Sequence, residues 1–119
     1  MTIDAIKIHL QKNSKDLTNE FKRLFHGRGG LYEGWKNLTV DSIDTILSVA
    51  LYHEEENESE LLGMLQEFIQ TSQHTSIVLQ RRYLKGAPSE VIVGEIPENV
   101  FVVENGMKIK LNILSNKNS

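Results

Sequence analysis

Thr45-Ile46-Leu47-Ser48-Val49-Ala50-Leu51-Tyr52 is apolar on both faces of an extended chain, the pattern of a strand at the centre of a sheet. Upstream, Leu38-Thr39-Val40 reads as a second strand, and Ser42-Ile43-Asp44 is a connection short enough for antiparallel neighbours. Downstream, from about Ser59 to Ser72, Leu61, Leu62, Leu65, Phe68 and Ile69 recur on one helical face. Asn57 is placed to cap this helix and Glu60 to return the bond, while Glu54, Glu55, Glu56 and Glu58 lie where the helix dipole favours negative charge. The same acidic run read as chemistry would take a cation or a basic partner. Without a glycine-kinked loop it suits a helix start better.

Ser76 to Tyr83 is the next strand. Its apolar part, Ile77, Val78 and Leu79, gives way to Gln80, Arg81 and Arg82, so the chain leaves the core for solvent or a groove. Lys85-Gly86-Ala87-Pro88 is a loop, and Glu90 to Val93 a short strand closed by Gly94 and Pro97. Val100 to Ile113 is a hairpin turning at Asn105-Gly106, a favoured pair for a type I′ turn. That turn sets Val103 opposite Lys108, Val102 opposite Ile109, Phe101 opposite Lys110 and Val100 opposite Leu111. One face is then core, and the other carries Phe101 and Val103 beside Lys108 and Lys110.

At the front, Ile3, Ile6, Leu10, Leu17, Phe21 and Leu24 fall on one stripe at helical spacing, with Thr2 or Asp4 as cap. Asn13-Ser14 interrupts the stripe, which predicts a kink or two shorter helices ending near Phe25, before Gly27-Arg28-Gly29-Gly30. The expected architecture is α+β: an N-terminal helical region (1–24), then an α+β domain (25–114) of strand-strand-helix-strand-strand type. Its sheet is mixed or antiparallel, with one packed helix and a C-terminal β-hairpin. Residues 115–119 read as the start of a linker.

The chain has 119 residues, 39% hydrophobic and 24% charged, with no Cys. This is one domain, with no disulfide framework and no thiolate chemistry. No stretch is long and apolar enough to span a membrane, and the first residues lack the layout of a secretory signal, so the expected compartment is the cytoplasm. The net charge of −3 is unevenly spread. Residues 1–36 carry seven Lys/Arg against four Asp/Glu, residues 37–70 eight acids and no Lys/Arg, and residues 71–119 six bases against four acids. A uniformly basic nucleic-acid binder is excluded. Two basic clusters, Lys22, Arg23, Arg28 and Arg81, Arg82, Lys85, matter if they meet in space.

No catalytic constellation stands out. The glycine cluster at 27–30 does not fit a dinucleotide loop, because the third glycine position falls on Tyr32. It serves as a flexible turn or as a phosphate nest with Arg28 as clamp. His9, His26, His53 and His74 have no metal-ligand spacing, and no Ser sits in a nucleophile elbow. Asp41 and Asp44 suit turn bonding. Tyr32 and Trp35, beside Arg28 and Lys36, either stack nucleobases or anchor the loop on the core.

The order of motifs resembles a known family. Lys22-Arg23-Leu24-Phe25-His26-Gly27-Arg28-Gly29-Gly30-Leu31, Gly34, and Leu38-Thr39-Val40-Asp41 are followed by Arg81-Arg82, Val91-Ile92-Val93-Gly94-Glu95 with Pro97, and Glu104-Asn105-Gly106 with Lys108. This series, over about residues 20–118, is similar to a segment of the class I S-adenosylmethionine-dependent methyltransferases of large-subunit ribosomal RNA. Gly30-Leu31-Tyr32-Glu33-Gly34-Trp35 stands where the family has Gly-Leu-Pro-Gly-Leu, and Ser42-Ile43 where it has a basic-aromatic pair, marking a divergent branch.

The resemblance implies an accessory domain that positions RNA, ribosomal RNA in the family's terms, ahead of a catalytic Rossmann domain. Asn112 to Asn118 looks like the linker to that domain, which would bind S-adenosylmethionine and supply the catalytic residues. No cofactor or metal is expected on the present residues. Lys22, Arg23, Arg28, Lys36, Arg81, Arg82 and Lys85 are the candidate RNA contacts. The expected partners are RNA, the protein's own catalytic domain and, as an alternative, a second copy; a membrane is not among them. Two rival functions remain: a scaffold docking through Phe101 and Val103, and a small-ligand module.

Overall fold

The computed structural model describes residues 3–14, 21–26, 38–96, 100–104 and 106–111. In chain order its elements are α1 (Ile3–Asn13), β1 (Phe21–His26), β2 (Leu38–Ile43), β3 (Ile46–Leu51), α2 (Glu58–Thr71), β4 (Ser76–Arg81), β5 (Ser89–Val93), β6 (Val100–Glu104) and β7 (Met107–Leu111). Strands β1 to β5 form one sheet in sequential order, and β6 and β7 form a separate two-stranded sheet. The fold is α+β.

The doubly apolar run becomes β3, the middle strand, as its pattern requires. It pairs antiparallel with β2 and parallel with β4. Parallel neighbours need a crossover, and α2 supplies it. Main-chain bonds extend the parallel pair at both ends, from Thr75 N to Thr45 O (2.8 Å) and from Arg82 N to Leu51 O (2.8 Å). Strands β4 and β5 pair antiparallel, as do β1 and β2.

Alternation along the strands separates two sides. The helix side carries Leu38 and Val40 of β2, Leu47, Val49 and Leu51 of β3, and Ile77 and Leu79 of β4. These bury against Ile6 and Leu10 of α1 and Leu61, Met64, Leu65 and Phe68 of α2. Each such side chain stabilises the fold by roughly 1.5–3 kcal/mol through burial. On the other side, Ile43, Ile46 and Val78 pack with Val100 of β6, flanked by Ile96 and Ile109. This hairpin side is apolar only at the end where β3 begins.

The hairpin register is the one the Asn105-Gly106 turn demands, from Val100↔Leu111 through Val103↔Lys108, and Gly106 has φ +79°. Phe101 is 47% exposed on its outer face.

Several expectations are corrected. Phe21 and Leu24 do not continue the N-terminal helix: α1 ends at Asn13, and Phe21–His26 is β1. A bulge between Arg23 and Phe25 in the pairing with β2 lets the consecutive residues Leu24 and Phe25 both reach the core. Asn13 Nδ2 donates to Leu24 O (2.8 Å), tying helix to strand. The β2–β3 turn is Asp44-Thr45, not Ser42-Ile43-Asp44; Ser42 and Ile43 are ladder residues, and Asp44 takes φ +55°. Asn57 stands at the N-cap of α2, but its φ/ψ of −96°/25° is not extended, and its side chain makes no capping bond. The expected capping box is absent. The Gly27–Gly30 loop, Leu17, Tyr32, Trp35, Pro97, Asn105 and the 112–119 tail lie outside the described residues.

Candidate nucleic-acid interface

Beyond the hairpin's footprint, the same side of the sheet turns polar. Register places Arg23, Asp41, Ser48 and Val78 in one row across β1 to β4, and His26, Thr39, Ala50 and Gln80 in the next. Tyr52 and Arg82 follow just past the ends of β3 and β4. Strands sit about 4.8 Å apart, so the rows span roughly 14 Å.

Arg23 is held by Asp41 through two bonds, Nε to Oδ1 at 2.7 Å and Nη2 to Oδ2 at 3.1 Å. Its Nη1 lies 3.3 Å from His26 Nδ1. The Asp41 hydrogen bonds hold the Arg23 guanidinium above its ordinary pKa, partial burial opposes them, and the Asp41 charge and the Tyr52 phenol add in the same direction as the bonds. The Arg23 side chain remains 44% exposed, against 14% for Asp41. Asp41 is thus an ion-pair partner rather than the turn residue its sequence position suggested.

Tyr52, at the end of the central strand, lies on this side between the strand that carries Arg23 and the one that Arg82 follows. The Arg82 guanidinium carbon lies 5.3 Å from the centroid of its ring, within cation–π range, and Arg82 Nη1 donates to Gln80 Oε1 at 3.4 Å. Arg23 and Arg82, 59 positions apart in the sequence, therefore flank one aromatic residue. Lys85 is exposed in the turn that Arg82 opens.

Arg81 sits elsewhere. Opposite Leu51 in register, it reaches to the helix side, where Nε and Nη2 bond Glu58 of α2 (3.2 and 3.0 Å) and Nη1 bonds Glu90 of β5 (2.8 Å). The Glu58 bonds first, then those of Glu90, raise its pKa. Its charge is committed to the fold. Lys22 is exposed and pairs with Ser42, also on the helix side. Arg28 and Lys36 lie outside the described residues.

A Ser–His contact does exist: Ser42 Oγ lies 2.8 Å from His74 Nε2, and Ser72 Oγ lies 2.8 Å from Nδ1. Its surroundings are those of a structural bridge. Ser42 is fully buried, the third group is a hydroxyl rather than a carboxylate, and burial pushes the His74 pKa down. A cleft of about 420 Å³ lies alongside, lined by Gln66, Ile69, Gln70, His74, Thr75 and Val93. Among the described residues, no group of three or more His, Asp or Glu is placed to hold a metal, and no helix is long and apolar enough to cross a membrane.

Sequence reasoning missed Tyr52, His26 and Gln80 as members of the patch, and Glu58 and Glu90 as partners of Arg81. The parallel register carries the missing signal: once Leu51 is set against Arg81, Tyr52 must fall beside Arg82.

The comparisons with known proteins agree with this architecture. A structure from Streptococcus mutans described as a SAM-dependent methyltransferase superposes with a TM-score of 0.74 at 14% identity, covering 97% of this chain and 31% of that one. SMU.776, described as a methyltransferase and solved with SAH, superposes with a TM-score of 0.72 at 16% identity and the same coverages. The chain spans about a third of their length. No curated protein matches it significantly. The family described as S-adenosylmethionine-dependent methyltransferase matches residues 22–119, most of the chain, and this chain belongs to it.

Proposed function

We propose that this domain holds the RNA substrate, ribosomal RNA in the first instance, for a SAM-dependent methyltransferase and runs no chemistry of its own. The observation that carries the reading is that Arg23 and Arg82 lie on the same side of the sheet, on either flank of β3 and of Tyr52 at its end, with exposed Lys85 in the turn that Arg82 opens. Arginine and lysine held this way contact phosphates, which set affinity and register and carry little sequence information. Arg81 and Lys22 enter the reading differently, Arg81 as a fold element and Lys22 as a contact from the helix side.

In this reading no S-adenosylmethionine site is placed on the described residues. The cleft beside α2 is lined by two glutamines, two aliphatic residues, His74 and Thr75, with no carboxylate for ribose hydroxyls. Cofactor binding and methyl transfer are therefore assigned to another part of the protein, in keeping with solved relatives about three times as long.

Titration of the 119-residue chain with a ribosomal RNA fragment tests the reading. Binding is expected to be weak and steeply salt-dependent, and to fall with Arg82→Glu and with Arg23→Glu. Salt-insensitive binding, or binding that neither substitution changes, overturns it.

A second reading rests on the hairpin. Phe101 is 47% and Met107 68% exposed, with Lys108 Nζ 4.6 Å from the centre of the Phe101 ring. As a docking face for the catalytic domain or a second copy, this surface would give a stable assembly lost in Phe101→Glu, a change that solution mass reads directly.

A further inference from the structure

The RNA-holding role, on which this inference rests, does not say which form of RNA the patch takes. Two contacts bear on that. Tyr52 is half-buried and Arg82 exposed, so the ring braces the guanidinium 5.3 Å above its centroid from the protein side. The Gln80 carboxamide, two residues earlier on β4, accepts from the same guanidinium at 3.4 Å. A planar guanidinium restrained in this way has less freedom to lose on binding, and its plane suits the π-face of a base. Bases offer that face only where they are unpaired. In an A-form duplex they are stacked on one another and show only edges and backbone.

Beside this platform, Arg23 keeps 44% of its side chain exposed while Asp41 fixes its direction. It is a directed cation on the same side of the sheet as that stacking surface. We infer that this side of the sheet takes single-stranded nucleotides, the base stacked on the Tyr52-braced Arg82 and an adjoining phosphate set against Arg23. The alternative, a patch that reads phosphate charge alone, predicts the opposite preference. A duplex has the higher charge density and releases more counterions per contact, so pure electrostatics favours the paired form.

The test is a fluorescence titration of the full chain with a single-stranded RNA containing 2-aminopurine, and with the same strand annealed to its complement. The single strand is expected to bind about tenfold more tightly, with a change in 2-aminopurine emission on binding. Arg82→Lys keeps the charge and removes the plane. It should abolish the single-strand preference and the emission change while leaving the salt dependence in place. Tyr52→Leu should do the same, with circular dichroism confirming the fold. Duplex bound as tightly as the single strand, or Arg82→Lys binding the single strand like the parent, overturns the inference and leaves the RNA-holding role standing. Failure of the parent chain to bind either form at low salt removes both.

Discussion

Arg81 and Arg82 are consecutive in the chain and serve opposite sides of the sheet. Arg81 reaches the helix side and bonds Glu58 and Glu90, whereas Arg82 turns back over the Tyr52 ring. The end of β4 is where strand alternation converts one Arg-Arg dipeptide into a structural clamp and an exposed cation. Net charge cannot distinguish the two residues; partners do.

The first prediction separates them by stability. Arg81→Gln breaks a bidentate pair in which both side chains are about three-quarters shielded, and should cost about 1–2 kcal/mol in urea unfolding. Arg82→Gln should stay within about 0.5 kcal/mol of the parent. A double-mutant cycle with Glu58→Gln should show coupling for Arg81 and none for Arg82. Equal costs for the two arginines would contradict the assignment.

Three glycines form a graded second prediction. Gly63 lies in α2 with open space where a Cβ would stand, so Gly63→Ala should stabilise by about 0.5–1 kcal/mol. Gly106 has φ +79° and open space, so Gly106→Ala should cost about 1–2 kcal/mol of backbone strain alone. Gly94 has φ +73°, and a Cβ there would meet Thr75 O at 2.5 Å and Ser76 Oγ at 2.6 Å. Ser76 Oγ is itself bonded to Glu95 O, so neither neighbour gives way easily. Gly94→Ala should be the most damaging of the three, at about 3 kcal/mol or more, and thermal melts of the set should rank in that order.

His74 sets a pH dependence. Burial lowers its folded pKa below the ordinary value near 6.5, so the unfolded chain binds a proton more readily than the folded one. Its contribution is fully present above the unfolded value and is lost as pH falls from about 6.5 towards the depressed folded value. Unfolding free energy should decline over that window. His74→Gln should flatten the decline while lowering stability at pH 8, since Ser42 and Ser72 lose a ring partner. A slope that survives His74→Gln would place the effect on another group.

The residues explain how much of this could be read in advance. The central strand and the hairpin register follow from period-two patterning and one turn pair, both local signals, and α2 lies within a residue of its expected bounds. Strand β1 misled because a bulge buries Leu24 and Phe25 together and erases alternation, while Phe21 and Leu24 happen to extend a helical spacing. Asn57 misled because a favourable cap residue does not ensure the extended backbone that capping needs. The patch was half-visible: its cations showed in the composition, but Tyr52 and Asp41 join them only through the register of strands distant in sequence, which one-dimensional spacing does not encode.

Asp41 supplies the last prediction. It restrains Arg23 and also places a negative charge 2.7 Å from the Arg23 Nε. If phosphates bind here, Asp41 is both aligner and competitor, and the sign of its removal reports which role dominates. Asp41→Asn keeps one carbonyl acceptor and deletes the charge, so alignment is partly preserved while the repulsion of phosphate disappears. Coulomb attraction in a half-exposed setting outweighs a modest loss of order. RNA affinity should therefore rise several-fold at low salt, and the slope of log K against log salt should steepen by about one as one more cation becomes available to phosphate. Arg23→Gln should move both quantities the other way, and the double variant should match Arg23→Gln alone. An Asp41→Asn chain that binds RNA with the parent's affinity and slope would show that Arg23 is a purely structural partner of β2 and takes no part in the interface.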